Sequence, residues 1–525
     1  MPSEFNYEMP IGYLYLINKY GIKTFKNWHT SYLGKSANKS HSEIIKSGPA
    51  QNVNELPIQL INEFFPRRLK PDDTVFAHLD FAVKHDGYNL GILTEIFKKL
   101  DPNRFAAFIE EKKTSRIRRR LWFLYEWALE TRLPIDDLTG RSFIPVLDPE
   151  EYYTLPIGER VTRQKVYNNL LGTPQFCPTI RKTEMLKKAE SCNYQDKIQT
   201  LLSAYDNNIQ YRAANYLYLK ETKSSFQIER EKINSSRMER FVNLLKSADE
   251  KDFCNKESLI ELQNQIVDKR FAVKDYRTNQ NYVGSTLLSG EEKIHYIPPR
   301  PENLSFLMDG LIESHKRMAQ GGVSAIAHAA AIAWGFVFLH PFEDGNGRSH
   351  RFLIHNILAL AGFTPPGFIF PISAVMLKNM DLYDQSLECF SVPLVQLTDY
   401  DLDDEGVLMV NNDTGRFYRY IDFTTQTETL LQFIDKTVET ELVIELDYLK
   451  RYDKTKLALQ EIVDLPGQKL ELLIRSLSGN KGILGDIRRR KNFDFLTDDE
   501  VEQLESSFRE NWGESFDAPD DSLNR

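Results

Sequence analysis

Residues His340 to Arg351 read His-Pro-Phe-Glu-Asp-Gly-Asn-Gly-Arg-Ser-His-Arg, and this stretch decides the fold because it joins two apolar segments. The preceding segment, 323–339, is apolar and rich in alanine, which predicts a buried helix. The following segment, 348–361, has apolar residues at helical spacing and predicts a second core-facing helix. Gly345-Asn346-Gly347 is then predicted to form a tight turn before a helix, where backbone N–H groups favour an anion. A potential base, a carboxylate and two arginines lie in the same stretch, which suits the handling of a polyphosphate.

The same stretch carries a family motif. It resembles the active-site motif of the Fic family (filamentation induced by cyclic AMP) at the positions His340-Pro341-Phe342-x-Asp344-Gly345-Asn346-Gly347-Arg348-x-x-Arg351. The resemblance implies transfer of AMP from ATP to a Tyr, Thr or Ser hydroxyl of a protein, the chain itself included. The alternative is a purely structural helix–turn–helix with solvated arginines, but such a structure does not require all these residue types together.

The resemblance implies a role for each residue type. His340 accepts the proton of the incoming hydroxyl, since the pKa of a histidine lies near neutrality. Asp344 offers Mg²⁺ a hard oxygen ligand. Arg348 and Arg351 share one helix face and hold phosphates through their planar forks. The expected nucleotide-binding residues are Asp344, Gly345, Asn346, Gly347, Arg348, Ser349, His350, Arg351 and Tyr383.

A second motif lies upstream and resembles the inhibitory helix of Fic proteins, predicted here near residues 222–232. Ser225 and Glu229 fit the pattern of Ser or Thr, three residues and Glu. Arg230 departs from it, because Gly or Asn is expected there. In the family this glutamate pairs with the second arginine of the active-site motif, which implies a Glu229–Arg351 pair that blocks productive ATP binding. The alternative is an ordinary helix N-terminus with Ser225 as its N-cap.

Residues 279–299 predict a β-hairpin. Two short β-prone runs surround a polar loop that contains Ser289-Gly290. The hairpin resembles the family's flap, which covers the nucleotide and aligns an extended target segment by backbone hydrogen bonds. His295 competes with His340 for the role of base, but its hairpin setting favours a contact role.

Tyr383 leaves two interpretations open. It resembles the family position that flanks the adenine ring, where an aromatic face can stack. A tyrosine of the helical core fits the sequence equally well.

Composition limits the setting of this site. The chain has 525 residues, of which 41% are hydrophobic and 27% charged, as in soluble globular proteins. No apolar run reaches the about 18 residues that span a bilayer, and the N-terminus lacks the features of a secretory signal. The four cysteines lack metal-ligand spacing. We therefore expect a cytoplasmic protein with reduced thiols and no membrane partner. The net charge of −9 argues against a non-specific nucleic-acid binder.

Three regions are expected along the chain: a mostly helical accessory region at 1–180, a catalytic domain at 181–440, and a helical tail at 441–525. In the first, the arginine-rich run 116–120 is either a solvated helix face or a nucleic-acid patch. In the tail, a basic run at 488–491 between two predicted helices leaves open a winged-helix-like module that contacts DNA. A protein-docking helical domain is the default interpretation.

The predicted fold class is mainly α: a Fic helical bundle with a β-hairpin flap, flanked by helical accessory regions. The predicted function is a protein adenylyltransferase that uses ATP and Mg²⁺ and is autoinhibited by Glu229. Two alternatives remain. One is a Fic enzyme that transfers another phosphate-containing group or removes AMP; the other is a DNA-binding regulator with a nucleotide-sensing Fic domain. The oligomeric state, a homodimer included, is left open.

Overall fold

The segment before the quoted stretch forms a helix that is buried on nearly all sides, as its composition predicts. A helix that is apolar all round is stable only inside a core, and the residues from Ile326 to Phe336 of this helix are all buried. The computed structural model that shows this describes residues 9–34, 41–47, 58–232, 234–287 and 292–513. Helices make up 57% of the structure, which confirms the mainly α class.

The helices of the described residues follow in chain order. They are α1 (Tyr13–Tyr20), α2 (Val75–His85), α3 (Leu90–Phe97), α4 (Pro102–Glu111), α5 (Arg116–Leu129), α6 (Glu184–Glu190), α7 (Tyr194–Ser203), α8 (Asn207–Ile228), α9 (Ser235–Lys246), α10 (Lys256–Ile266), α11 (Pro301–Gly321), α12 (Ala325–Leu339), α13 (Asn346–Leu360), α14 (Ile372–Lys378), α15 (Met380–Leu397), α16 (Thr424–Lys436), α17 (Leu442–Ile462), α18 (Gly467–Ser478), α19 (Asp486–Asn492) and α20 (Asp498–Trp512).

The strands form small sheets. They are β1 (Met9–Pro10), β2 (His29–Leu33), β3 (His41–Ser47), β4 (Ile58–Phe65), β5 (Ile144–Pro145), β6 (Glu159–Val161), β7 (Val166–Asn168), β8 (Val283–Thr286), β9 (Glu292–Tyr296), β10 (Tyr400–Leu402) and β11 (Leu408–Val410). The N-terminal sheet has the order β1-β2-β4-β3, with β2 and β4 parallel. A second sheet has the order β5-β7-β6, so the first 180 residues mix helices with two sheets.

The chain divides into two compact units, each built from separated stretches of sequence. The first comprises the described residues within Met1–Ser191, Glu250–Ala361 and Asn379–Leu431. In it α12 packs on α11 and α13, and α13 also packs on α10. The first unit therefore contains the whole quoted stretch and the hairpin β8–β9.

The second unit comprises the described residues within Cys192–Asp249, Gly362–Lys378 and Gln432–Arg525. Its helix α8 packs on α9, α14 and α17. Buried charges anchor α8 there: Lys220 Nζ lies 2.9 Å from a Glu441 carboxylate oxygen and 2.5 Å from one of Glu445. Next to Lys220, the buried Glu221 accepts a hydrogen bond of 2.8 Å from the backbone N–H of Ser373. These contacts hold the segment that carries the upstream motif.

Two arginines of the run at the start of α5 fit neither interpretation that the sequence left open, whereas Arg116 is exposed. Arg118 and Arg119 are only 4% and 7% exposed. Arg118 forms an ion pair of 2.8 Å with Asp80, and Arg119 donates hydrogen bonds to backbone carbonyls of the segment 142–165. Both side chains are buried and bonded inside the first unit, so they are neither solvated nor available to nucleic acid.

The tail is helical over its described residues. Thr497 and Glu500 form the predicted capping box at the start of α20. Within the described residues 442–513 the regular elements are α17 to α20, without a strand that would form a wing. The basic run lies on α19, where Arg489 is already paired with Asp498 at 2.5 Å. Among the described residues, the structure also contains no helix that is long and apolar enough to cross a membrane.

Candidate active site

His340 ends α12 in a left-handed backbone conformation, with φ 50° and ψ 58°. Its N–H donates to the Phe336 carbonyl at 2.9 Å, and Pro341 follows, which cannot continue the helix. The ring Nδ1 lies 3.2 Å from the Val337 carbonyl oxygen. A carbonyl only accepts hydrogen bonds, so Nδ1 carries the proton of the neutral ring. The lone pair is then on Nε2, which is the nitrogen suited to act as a base.

The turn after His340 is closed by an amide side chain. The backbone N–H of Phe342 donates to Asn346 Oδ1 at 3.0 Å, and Asn346 Nδ2 donates to the Phe342 carbonyl at 2.7 Å. Gly345 takes a left-handed conformation with φ 89°, and a Cβ atom there would lie 2.9 Å from a methyl carbon of Val267. Conformation and space both require glycine at this position.

The second helix begins earlier than the sequence predicts. We expected Gly345-Asn346-Gly347 to form a turn before a helix that starts at Arg348, but α13 starts at Asn346 with Gly345 as its N-cap. The reason is that the Asn346 side chain bonds the N–H and the carbonyl of Phe342 in the turn, so the backbone of Asn346 can be helical. Because the N-cap is a glycine, no N-cap side chain occupies the N–H groups of this helix start. Uncapped N–H groups at a helix N-terminus are suited to bind an anion.

Two arginines lie close to this helix start and are buried. Arg348 and Arg351 are each 1% exposed. Arg348 Nη2 forms an ion pair of 2.6 Å with Asp344 Oδ1. Together with the helix N-terminus, these guanidinium groups concentrate positive charge on one face of α13, as a polyphosphate requires.

Asp344 is the residue that fits a magnesium ion. Its side chain remains 40% exposed although Arg348 holds one of its oxygens. Among the described residues there is no group of three or more His, Cys, Asp or Glu side chains that could hold a metal by themselves. One carboxylate together with phosphate oxygens and water is the donor set that Mg²⁺ prefers, whereas Zn²⁺ favours Cys and His ligands. The residues present therefore fit a metal that arrives with a nucleotide.

His350 and Ser349 belong to the core rather than to the charged face. His350 is fully buried, and its ring lies at 82° to Trp334 and at 25° to Tyr383, with centroid separations of 4.6 and 6.2 Å. Burial lowers the pKa of His350 to about 3, so the ring is neutral near pH 7. Ser349 is also fully buried. The sequence analysis placed His350 among the nucleotide-binding residues, and the structure places its side chain in the core. The helix period explains the difference, because His350 lies about 200° around α13 from Arg348, on the opposite face.

Tyr383 lies on α15 and is 4% exposed. Its ring is stacked against His350, the residue just assigned to the core. This placement is the one expected of a core tyrosine. The structure thus gives Tyr383 a packing contact with the bundle.

The predicted hairpin is present. β8 and β9 are antiparallel, with Gly284 opposite Ile294 and a bulge beside Val283. The predicted loop residues Ser289 and Gly290 lie outside the described residues. His295 is exposed on β9, and its Nε2 lies 2.8 Å from Ser285 Oγ across the hairpin. Its contact is therefore local to the hairpin, as its setting predicted.

Sequence reasoning missed Arg277, which lies just before the hairpin. It is 6% exposed, and its Nε donates to the carbonyl oxygen of His340 at 2.9 Å. Burial lowers the pKa of the guanidinium, although its ordinary value is high enough to keep it charged. No motif or periodicity marks this residue in the sequence, because its partner is 63 positions away.

The upstream motif lies at the end of α8, in the second unit. Asp206 is the N-cap of this helix, whereas Ser225 is buried in its last turn and the exposed Glu229 is its C-cap. The alternative in which Ser225 caps a helix N-terminus is therefore wrong. A carboxylate at a helix C-terminus is disfavoured by the helix dipole, so helix stability does not account for Glu229.

Arg230 follows in a left-handed conformation, with φ 56°. Glycine and asparagine adopt this conformation most easily. The geometry explains why the family pattern has a Gly or Asn at this position and why an arginine is a departure from it.

We expect Arg230→Gly to stabilise the protein. A left-handed conformation costs a residue with a side chain roughly 1–2 kcal/mol, and the extra unfolded-state freedom of glycine removes roughly 0.5–1 kcal/mol of the gain. The net increase in the free energy of unfolding is about 0.5–1 kcal/mol, measured by denaturant unfolding. Gln227→Gly, in the exposed last turn of α8, is the control and should lose about 1 kcal/mol. Equal losses in both variants would contradict this account of Arg230.

Comparison with known families identifies one part of the chain. Residues 253–358 match the model of the Fic/DOC family. The curated protein adenylyltransferase Fic of Culex quinquefasciatus is 30% identical over 119 residues, which is 22% of this chain and 21% of that protein. Its namesake from Drosophila mojavensis is 33% identical over 91 residues, 17% of this chain and 16% of that protein. The chain thus spans about a fifth of the length of these relatives.

Solved structures give weaker likenesses. A Fic family protein from Desulfovibrio desulfuricans G20 is 15% identical with a TM-score of 0.34, over 63% of this chain and 87% of that chain. A Fic domain containing signaling protein from Bacteroides thetaiotaomicron VPI-5482 is 15% identical with a TM-score of 0.33, over 48% and 94% of the two chains. These TM-scores are too low to support an argument about fold or function.

Proposed function

We propose that this chain, in which residues 253–358 form a Fic domain, is a protein adenylyltransferase that moves AMP from ATP to a hydroxyl side chain. One observation carries the proposal: a histidine with its lone pair on Nε2 directly precedes an uncapped helix start with two buried arginines. The curated relatives to which the chain is similar are named protein adenylyltransferase Fic.

The chemistry is a displacement at the α-phosphorus of ATP. His340 Nε2 accepts the proton of a Ser, Thr or Tyr hydroxyl as the hydroxyl oxygen bonds to the α-phosphorus. The bond from that phosphorus to the oxygen bridging the α- and β-phosphates breaks, and pyrophosphate leaves with the electron pair. Such transfers depend mainly on positioning and charge neutralisation.

The chain's own groups supply the positioning and the charge neutralisation. The N–H groups at the start of α13 hold phosphate oxygens, and Arg348 and Arg351 neutralise the charge of the leaving pyrophosphate. Asp344 would hold Mg²⁺, which neutralises phosphate charge when it is bound. The exposed strands β8 and β9 offer backbone groups to an extended target segment.

The position of the label decides which group is transferred. The protein is incubated with Mg²⁺, a lysate and ATP labelled either at the α-phosphate or at the γ-phosphate. Adenylyl transfer places only the α-label on protein, and mass spectrometry then locates AMP on a hydroxyl side chain. The lysate alone is the control, because its kinases also transfer the γ-label. Transfer of the γ-label that requires the added protein, without transfer of the α-label, would overturn the proposal.

We predict that His340→Ala and His340→Asn both lose roughly 10²–10⁴-fold in turnover, the usual contribution of general base catalysis. Asparagine tolerates the left-handed conformation and can donate to the Val337 carbonyl, so it separates loss of the base from backbone strain. Steady-state rates and ATP affinity by calorimetry check this result. Full turnover by His340→Asn would show that His340 only shapes the turn, whereas ATP affinity should survive in both variants.

We further propose that Glu229 restrains the activity, as the family motif implies. The support is local: Ser225 and Glu229 occupy the last turn and the C-cap of α8, and the helix dipole does not explain a carboxylate there. In this proposal Glu229 pairs with Arg351 and keeps that guanidinium from the γ-phosphate. The pair must open before ATP binds productively.

Glu229→Gln should therefore raise self-modification. A charge-assisted hydrogen bond is worth about 1.5–3 kcal/mol, which corresponds to roughly ten- to more than a hundredfold in equilibrium. Glu231→Gln is the matched control, because Glu231 lies two residues on and pairs with Arg237 at 2.8 Å. The measurement is incorporation of α-labelled AMP into the purified protein. Equal incorporation by the two variants would remove Glu229 from the regulation.

A further inference from the structure

We propose that Arg277 is a positioning residue that ties both ends of the hairpin to His340 and so holds the base in register with the bound target. This inference rests on the proposed function. Arg277 donates from Nε to the His340 carbonyl at 2.9 Å and from its backbone N–H to the Pro341 carbonyl at 2.8 Å. The first two residues of the turn after α12 are thus held by one arginine.

The other two arms of the guanidinium reach the hairpin. Nη1 donates to the Asn279 carbonyl at 2.9 Å, and Nη2 donates to the Pro299 carbonyl at 2.5 Å. Asn279 lies four residues before β8, and Pro299 lies three residues after β9. The chain entering the hairpin and the chain leaving it therefore meet at the same side chain.

The four hydrogen bonds of Arg277 fix the turn and the hairpin in a way that apolar packing does not. The last carbonyls of a helix lack intrahelical partners, and His340 is in a conformation that disfavours side chains. The planar guanidinium donates in three fixed directions to three carbonyls, which a lysine ammonium cannot do. Tyr296 at the end of β9 adds a hydrogen bond from its hydroxyl to the Phe338 carbonyl of α12. A displaced hairpin would consequently move the turn that carries the base.

The decisive comparison is Arg277→Lys against Arg119→Lys. Arg119 is the matched control: it is equally buried, it lies in the same unit, and it donates to the carbonyls of Gln164 at 2.9 Å and Ser142 at 2.8 Å. Both variants lose a buried arginine, whereas only Arg277→Lys loses a contact with His340.

For Arg277→Lys we expect kcat to fall about tenfold to a hundredfold, as for small misplacement of a catalytic group. ATP affinity should stay within about twofold, since the phosphate-binding groups are not touched. Arg119→Lys should keep its kcat.

Two further readouts separate positioning from instability. Exchange of the backbone amide hydrogens should become faster in Arg277→Lys in both segments, 279–287 and 337–342. In Arg119→Lys it should stay unchanged in both segments. In Arg277→Gly, added methylguanidinium should restore part of kcat, while urea, which carries no charge, should restore less.

The outcomes are distinct. If the wild-type protein transfers AMP and Arg277→Lys retains its kcat, or loses no more than Arg119→Lys, the inference is wrong and the proposed function stands. If the wild type transfers no AMP, the proposed function fails, and hydrogen exchange still tests the tie: unchanged exchange in either segment would overturn it.

Discussion

The turn between α12 and α13 is the constraint on which the rest of the site depends. Both helices are buried, so their directions are fixed by packing, and the six residues 340–345 must connect them while leaving a side chain at the proposed phosphate site. The left-handed conformation at His340 and at Gly345 makes this possible. Asn346 closes the turn with two hydrogen bonds to Phe342, and the uncapped start of α13 follows directly.

Each unit carries one of the two devices proposed to act on the base and the phosphates. In the first unit, Arg277 joins the turn to the hairpin β8–β9, so the surface proposed to align a target is attached to the residue proposed to deprotonate that target. In the second unit, the motif with Glu229 ends a helix that is anchored by Lys220 and Glu221 to α17 and α14. Buried charge pairs contribute little net stability but are costly to break. They therefore define the position of α8 within its unit.

The sequence predicted most where local pattern and local structure coincide. The apolar helix α12, the hairpin and the capping box of α20 follow from periodicity, turn residues and spacing over a few positions. The sequence predicted a later start of α13, because it did not show that the Asn346 side chain closes the turn while the Asn346 backbone is already helical. Arg277 and Arg119 could not be found, since each acts through carbonyls of distant segments that no periodicity marks. The core role of His350 was within reach, because the helix period already separates it from Arg348.

The central claim is that His340 presents an unprotonated Nε2 because Val337 holds the proton on Nδ1. Two-bond proton–nitrogen NMR of the protein labelled with ¹⁵N-histidine reports the tautomer of each ring, and the His340→Asn spectrum identifies the signals that belong to this residue among the ten histidines. The account predicts that the neutral His340 ring carries its proton on Nδ1. A ring protonated on Nε2 would contradict it, because the nitrogen assigned as the base would then be a donor.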